Sequence, residues 1–400
     1  MVAAALCSSA ARGQTPPAAQ PLTFEQALDL ATSRNLNVEA ARRQRAIREA
    51  AIRTARQIPN PDVALELTQD QPHQLFTVGV PVEIGGRRQR RIDLAQAELT
   101  LAEIDVQTEL RAVRRQVRQA FYTLVAFDER TRVAEDILEI ARRLREAAQA
   151  RFESGAAPRL EVLQADLGVT RAETEVELAR SERVGAQATL NAVLNQPPQH
   201  AIVASGSLLD HLAAIGYNEA LAIALRSNLD LAGLDRQLAI EQRRLELLRA
   251  ERTPAPVFSV SGLFNNQPEF TSGSGVGIAV TVPLFSRNQG EIAQSIATAS
   301  QLRARRDATV RIVENDVFGT IARLDARRRQ AEAYERRLVP TATDLETLAE
   351  ESYRAGRTSV LGVFEAQRSL RDLRREALQA ALDLQLSLAD LEEILGTRMP

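Results

Sequence analysis

The chain has 400 residues, and its 50 basic residues nearly balance 52 acidic ones, giving a formal net charge of −2. This balance gives no net electric field that favours nucleic acid or an anionic membrane surface, so we predict no nucleic-acid partner. Only 44% of the residues are hydrophobic and 4% are aromatic, which is thin for a bulky globular core. One Cys and three isolated His argue against a disulfide framework, a metal site or a bound cofactor.

The first 20 residues follow no helical or strand pattern, being small and apolar and then rich in Pro. We interpret residues 1–20 as the remnant of a signal peptide followed by a Pro-rich leader, because Val2 to Ala11 resembles the end of an apolar signal core. A disordered tail is the alternative. A lipoprotein signal has a small residue directly before its cysteine, whereas Leu6 precedes Cys7. Lipidation is therefore the less favoured interpretation. No window offers the roughly 18 consecutive apolar residues of a membrane-spanning helix.

The predicted elements occur twice along the chain, in repeats over residues 21–200 and 217–396 with a linker over residues 195–216. The first repeat contains a helix from Thr23 to about Gln57, a β-hairpin over 62–84, a long helix over 87–151 and a return helix over 159–194. The second contains a helix, a β-hairpin over 257–284, a long helix over 289–353 and a return helix over 359–395. The first long helix would be roughly 95 to 100 Å in length, which no compact domain accommodates.

Matching apolar positions indicate that the chain is internally duplicated. The same 3-4-4-3 spacing occurs at Leu110, Val113, Val117, Phe121 and Leu124 and again at Val310, Val313, Val317, Ile321 and Leu324. Pro59-Asn60-Pro61 in the first repeat likewise corresponds to Pro254-Ala255-Pro256 in the second. We therefore predict a mainly α fold with a small β part, in which long helices form coiled-coil pairs and each repeat adds one β-hairpin.

Each hairpin has strands of about eight to ten residues, the length that crosses a bilayer when tilted. Small soluble sheets capping a helical bundle are the alternative, but an elongated bundle has nothing to cover their apolar faces. Open edges in hydrocarbon leave backbone groups unpaired, and four strands are too few for a barrel with an interior. Three copies would supply a twelve-stranded β-barrel and a closed wall of helices, an α-barrel. We therefore predict a homotrimer whose strands contact membrane lipid.

Three segments resemble the outer membrane factor family, the trimeric exit ducts of bacterial tripartite efflux pumps. They are Ile58-Pro59-Asn60-Pro61, Glu83-Ile84-Gly85-Gly86-Arg87-Arg88 and Val282-Pro283-Leu284-Phe285-Ser286-Arg287-Asn288-Gln289-Gly290. Within that family the chain is most similar to the cobalt-zinc-cadmium resistance branch. The resemblance implies a β-barrel in the outer membrane, an α-helical barrel in the periplasm, a periplasmic adaptor and an inner-membrane proton-driven exporter.

In that family the helix reversals are periplasmic tips, which contact the adaptor and form the closed end. The resemblance assigns adaptor contact to Gly155, Leu160, Val162 and Leu163 in the first reversal and to Gly356, Leu361, Val363 and Phe364 in the second. It places Glu161 and Tyr353 at gate contacts and Glu365 in an acidic ring, although Gly362 occupies the position of the family's other acidic ring. Turn geometry alone also explains the two tip glycines, and Glu365 could equally be an ordinary surface carboxylate.

The sequence contains no phosphate-binding loop, no nucleophile-His-acid arrangement and no metal cluster, so we predict that the protein is not an enzyme. The predicted function is a passive exit duct for heavy-metal cations, located in the outer membrane, extending into the periplasm and gated at its tips. Two alternatives remain open: a duct for drugs or secreted polypeptides, and a soluble coiled-coil scaffold.

Overall fold

The computed structural model describes residues 21–69, 74–209, 215–264 and 272–397. The predicted leader over residues 1–20, with Cys7, lies outside the described residues. In the described ranges, no helix combines the length and the apolar character needed to cross a membrane.

The described chain is mainly helical, with one small antiparallel sheet. Its helices are α1 (Phe24–Arg34), α2 (Leu36–Arg56), α3 (Arg87–Glu153), α4 (Arg159–Val193), α5 (Tyr217–Ser227), α6 (Leu229–Ala250), α7 (Gln289–Ala333), α8 (Val339–Arg354) and α9 (Val360–Leu395). Its strands are β1 (Pro21–Leu22), β2 (Asp62–Leu67), β3 (Gln74–Pro81), β4 (Val203–Ala204), β5 (Pro256–Phe264) and β6 (Gly273–Val280). β1 pairs with β4 in parallel, and the other four strands form an antiparallel sheet in the order β2-β3-β5-β6.

The opening helix, predicted as one element from Thr23 to Gln57, is divided into α1 and α2 at Asn35. Asn35 has an extended backbone, and its side-chain oxygen accepts from the backbone N–H groups two and three residues ahead, at 2.9 and 3.4 Å. This is the geometry of an N-cap, which ends one helix and starts the next. Asn228 does the same between α5 and α6. The duplicated Asn thus marks a break that apolar periodicity did not reveal.

The second long helix, predicted as unbroken over residues 289–353, contains a π-helical turn at Tyr334–Leu338 between α7 and α8. Pro340 explains the interruption, because it has no backbone N–H and its ring would clash with the carbonyl four residues earlier. A wider π-turn just before the proline relieves that clash. Its first residue is tied to α9, where the Tyr334 hydroxyl donates to Glu376 Oε2 at 3.0 Å. The first long helix, α3, has no such break over its 67 residues.

Two compact units do not follow the two sequence repeats. One unit comprises Met1–Leu30, Val117–Asp210 and Tyr334–Leu382, and the other comprises Ala31–Gln116, His211–Ala333 and Asp383–Pro400, described only within the ranges given above. Each unit therefore draws segments from both repeats. The duplication is a property of the chain and not of its spatial domains.

Small residues let the helices of each unit pack closely. The first unit contains a cluster of Ala134, Val176 and Ala179, and the second contains a cluster of Ala55, Ile92 and Ala95. Eight of the ten repeated positions are buried, with at most 8% exposure at Val113, Val117, Phe121, Leu124, Val313, Val317, Ile321 and Leu324. The first position of each set, Leu110 or Val310, is half-buried. The low aromatic content therefore reflects narrow seams between long helices.

The end of α9 is fastened to the junction of α5 and α6 within the second unit. The Ser227 hydroxyl donates to the Leu395 carbonyl at 2.7 Å, and the Asn228 side-chain amide donates to the Ile394 carbonyl at 3.0 Å. Gly396 follows with a φ of +69°. Asn228 therefore caps α6 and holds the last carbonyls of α9 at the same time.

Candidate functional site

The two helix reversals have the same backbone turn. Gly155 and Gly356 adopt φ values of +75° and +69°. The N–H that follows each glycine donates to the carbonyl five residues back, at 2.8 Å in both turns. These are Schellman turns, which favour glycine because it alone adopts positive φ at no cost. The turn role of both glycines is thus accounted for, and their contact with an adaptor stays a prediction.

The first reversal and α8 are joined through a buried tyrosine. The Tyr353 hydroxyl donates to Glu161 Oε2 at 3.2 Å, although the two residues are far apart in the sequence. Arg151 donates to the Tyr353 carbonyl at 3.0 Å, and its guanidinium carbon lies 4.6 Å from the centre of the Tyr353 ring. The predicted gate residues Glu161 and Tyr353 therefore meet within one chain, with Arg151 as a third member.

The Tyr353 ring also belongs to a hydrophobic core. Only 1% of the residue is exposed, and it clusters with Leu144, Val360 and Val363. Burial raises the pKa of Tyr353, the charge and hydrogen bond of Glu161 raise it further, and Arg151 lowers it. The phenol is therefore neutral at physiological pH and keeps the proton that it donates.

This environment predicts a loss of stability in alkali. Because the pKa of Tyr353 is higher in the folded chain than in the unfolded chain, its contribution is complete below the unfolded value, near 10, and falls as pH rises through the folded value. We expect the heat-unfolding midpoint of the wild type to fall more steeply above about pH 10 than that of Tyr353→Phe. The two proteins differ at this residue alone, so every other contribution cancels. Parallel curves for the two proteins would show that Tyr353 has no such role.

The other predicted tip residues divide into an exposed and a buried group. Leu160, Leu163 and Leu361 are 61%, 55% and 53% exposed, whereas Val162 is half-buried. Val363 is fully buried, and the Phe364 ring packs so closely on Gly168 that an added Cβ there would lie 2.8 Å away. The side chain of Val363 therefore packs inside the unit, and contact of the tip residues with an adaptor stays a prediction.

Glu365 is not joined to the Tyr353–Glu161 pair. It is exposed, and its carboxylate makes no hydrogen bond or ion pair with the described residues. Sequence reasoning had grouped Glu365 with the pair and had missed Arg151. Arg151 gives no local signal beyond a basic residue in the last turn of α3, because its partner Tyr353 lies on a distant segment.

The four-stranded sheet has one exposed apolar face. The strand register aligns Val63, Val78, Val260 and Val276 in a row across all four strands, and Val276 is 90% exposed. Further exposed apolar side chains on this face are Leu65, Leu67, Phe76, Val80, Phe258, Phe264, Ile278 and Val280. The predicted alternation of the strands is therefore present, with an apolar surface that nothing in the described chain covers.

The opposite face of the sheet carries small residues. Ser259 lies opposite Gly277 and Ser261 opposite Gly275. A Cβ added to Gly277 or Gly275 would lie 2.8 or 2.9 Å from the hydroxyl of its serine partner. Larger side chains would crowd this face. The predicted second hairpin extended to Leu284, but β6 ends at Val280, and Val282 and Leu284 continue the exposed apolar surface beyond the strand.

Long paired helices, two glycine turns at the helix reversals and an exposed apolar sheet face are thus the main features of this fold. The chain belongs to the outer membrane efflux protein family, whose sequence pattern matches residues 27–196 and 220–397. The protein is therefore an outer-membrane efflux channel of the tripartite pump type that extends into the periplasm, and its family and fold are those of channels and not of enzymes. The alternative of a soluble scaffold is wrong.

Among its relatives, the chain is 27% identical to the cobalt-zinc-cadmium resistance protein CzcC of Cupriavidus metallidurans, over 95% of this chain and 91% of that one. It is 26% identical to the pyoverdine export outer membrane protein OpmQ of Pseudomonas putida, over 76% and 66% of the two chains. It is also 26% identical to the nickel-cobalt-cadmium resistance protein NccC of Alcaligenes xylosoxydans xylosoxydans, over 62% and 55%.

Solved structures share the fold. The transmembrane channel protein CusC superposes with a TM-score of 0.76 at 15% identity, covering 94% of this chain and 92% of that one. The outer membrane protein VceC of Vibrio cholerae also gives a TM-score of 0.76, at 14% identity and over 94% and 97% of the two chains. The predicted fold class is confirmed by these likenesses.

Proposed function

We propose that three copies of the chain form a passive exit duct for heavy-metal cations, joined to a periplasmic adaptor and an inner-membrane proton-driven exporter. The support for a trimer is the open sheet: β2 and β6 are its edge strands. Unpaired backbone groups at such edges cost several kcal/mol each in hydrocarbon. Pairing β2 of one copy with β6 of the next, three times, would satisfy both edges in a closed sheet of twelve strands.

The observation that carries the metal cargo is the likeness to CzcC along nearly the whole chain, 95% of its length. The NccC relative is likewise named for metal resistance. A wide, water-filled duct discriminates little between hydrated cations, so we assign the choice of ion to the inner-membrane exporter.

The helix reversals are the proposed gate and adaptor surface. The Tyr353–Glu161 bond ties α8 to α4 within each chain, so it would hold the tip closed. The exposed leucines Leu160, Leu163 and Leu361 would dock apolar residues of the adaptor, since exposed apolar clusters mark interaction surfaces. Gly155 and Gly356 would shape the turns that present them, with Val162 at the edge of the same surface.

Organic cargo is the second candidate function. It is favoured by the OpmQ relative, which is named for pyoverdine export and is 26% identical. A duct of this kind could serve drugs or secreted polypeptides with the same architecture, because its partner selects the cargo.

Growth on metal salts tests the cargo. We expect deletion of the gene to lower the tolerated concentration of at least one of cobalt, zinc, cadmium, nickel and copper, and we expect the intact gene to restore it. Tolerance that is unchanged for all five salts would overturn the metal proposal. Single-channel recording from the purified protein tests the duct separately, since a conducting trimer with unchanged metal tolerance would favour organic cargo.

A further inference from the structure

Arginines are concentrated where the helices meet the sheet. The junction segments 53–62, 82–91, 249–256 and 281–291 contain nine arginines against four carboxylates, an excess of five positive charges in a chain whose formal net charge is −2. They are close in space, since Arg88 Nε donates to the Arg56 carbonyl at 2.9 Å and Arg252 Nε donates to the Arg287 carbonyl at 2.9 Å. The junction is therefore a positively charged band in a chain whose remaining residues carry a formal net charge of −7.

Three of the nine arginines are engaged with side chains or helix ends of the protein itself. Arg87 donates to carbonyls at the end of α6, Arg91 forms a two-bond pair with Glu83, and Arg90 pairs with Glu246 at 2.7 Å. These side chains cap helix ends and fix the start of α3. We therefore leave them out of the proposed binding surface.

The six remaining arginines are exposed and form what we call the arginine collar: Arg53, Arg56, Arg88, Arg249, Arg252 and Arg287. Arg88, Arg252 and Arg287 each donate one hydrogen bond, from Nε to a backbone carbonyl. Their terminal nitrogens, and the whole guanidinium groups of Arg53, Arg56 and Arg249, have no partner in the described ranges. A guanidinium held at Nε with two free NH2 groups is suited to binding phosphate oxygens in pairs.

The collar borders the exposed apolar surface of the sheet. Val282, Leu284 and Phe285 lie between β6 and Arg287, and Phe285 is 92% exposed. Ile58 is likewise exposed beside Arg56. Apolar side chains that could contact lipid acyl chains thus lie next to arginines that could contact lipid headgroups. This is the order of residues found at a membrane interface. Since the chain extends from the outer membrane into the periplasm, this junction faces the periplasmic leaflet.

We propose that the arginine collar binds the phosphate groups of anionic phospholipids in the periplasmic leaflet and so sets the depth of the protein in the membrane. The inference rests on the outer-membrane location and is independent of the cargo. A purely local role is the competing explanation, because Arg53, Arg56 and Arg249 lie in the last turns of α2 and α6, where a cation favours the helix dipole.

Lipid binding by the purified full chain tests the proposal. Native mass spectrometry in neutral detergent would compare retention of phosphatidylglycerol or cardiolipin with retention of phosphatidylcholine. We expect the wild type to prefer the anionic lipids, and the variant Arg53→Gln/Arg56→Gln/Arg249→Gln to lose that preference by roughly tenfold or more. These side chains make no hydrogen bond in the described ranges, so the heat-unfolding midpoint without lipid should change little.

Arg226→Gln/Arg303→Gln/Arg305→Gln is the matched control, since it removes three exposed arginines outside the junction, one of them in the last turn of α5. It should keep the lipid preference of the wild type. Equal retention of anionic and zwitterionic lipids by the wild type, an equal loss in both variants, or preference for lipopolysaccharide would overturn the proposal. If the triple variant does not fold, the three single variants should give graded losses, and unchanged binding in all three would also overturn it.

Discussion

Changing Glu161 to Gln or Tyr353 to Phe is expected to increase the open probability of the purified duct while leaving its fold intact. Each change weakens or removes the bond from the Tyr353 hydroxyl to Glu161 but keeps the side-chain volume. A hydrogen bond to a charged group contributes about 1.5–3 kcal/mol. If the bond is present only in the closed state, its loss should shift the open-to-closed ratio by about tenfold or more. Single-channel recording in lipid bilayers would measure this.

Tyr353→Ala should behave differently, because it also empties the core formed with Leu144, Val360 and Val363. Truncation of a buried aromatic side chain costs about 3–5 kcal/mol, and the contact of the ring with the Arg151 guanidinium would go with it. We expect a clear fall in the heat-unfolding midpoint for Tyr353→Ala and a small one for Tyr353→Phe. This comparison separates the hydrogen bond from packing.

Glu365→Gln is the matched control for charge at the tip. Its carboxylate is exposed and makes no bond within the described part of the chain. If Glu365 forms an acidic ring in the assembled duct, the change should lower cation selectivity without altering the open probability. If Glu161→Gln and Tyr353→Phe both conduct like the wild type, their bond is a packing detail and the gate lies elsewhere.

Apolar periodicity predicted the elements of this fold well, and for a simple physical reason. Long helices and alternating strands bury or expose residues at fixed spacings, so positions such as Val117 and Val317 could be assigned to the core before any contact was known. Both are fully buried in the structure. The same reasoning predicted the apolar sheet face, because strand alternation alone decides which residues share it.

Breaks in the helices were harder to predict, since they depend on single polar or imino residues. Asn35 sits within an unbroken apolar pattern, and only its capping hydrogen bonds reveal that α1 ends there. Pro340 was visible in the sequence, but long helices tolerate a proline when a π-turn precedes it, as Tyr334–Leu338 does here. Periodicity does not register either event.

The tip site was only partly predictable, because its contacts join distant segments. Family resemblance indicated Glu161 and Tyr353, which do meet. It could not indicate that Val363 packs inward or that Arg151 lies against the Tyr353 ring. Which of two neighbouring apolar residues faces outward at a helix start depends on how two hairpins pack together, and that is a tertiary property.

Gly396→Ala is expected to cause one of the largest losses of stability in the chain, although Gly396 lies just beyond the end of α9. A Cβ there would lie 2.2 Å from the Ser227 carbonyl oxygen, and the backbone φ is +69°. Positive φ costs a side chain about 1–2 kcal/mol, and overpacking adds about 1–3 kcal/mol. To relieve the contact, α9 would have to withdraw and give up the bonds of Ser227 and Asn228 to Leu395 and Ile394.

Gly356→Ala is the matched control, because Gly356 has the same φ of +69° but nothing lies within 4 Å of an added Cβ. Gly356→Ala therefore has the cost of a positive φ but no steric clash with a neighbouring residue. We therefore expect Gly396→Ala to lower the free energy of unfolding by about 2–5 kcal/mol and Gly356→Ala by about 1–2 kcal/mol. Heat-unfolding midpoints in detergent, with limited proteolysis of the C-terminal segment, would measure both. Equal losses of unfolding free energy in the two variants would show that the close contact of Gly396 with Ser227 adds nothing to the cost of the backbone conformation.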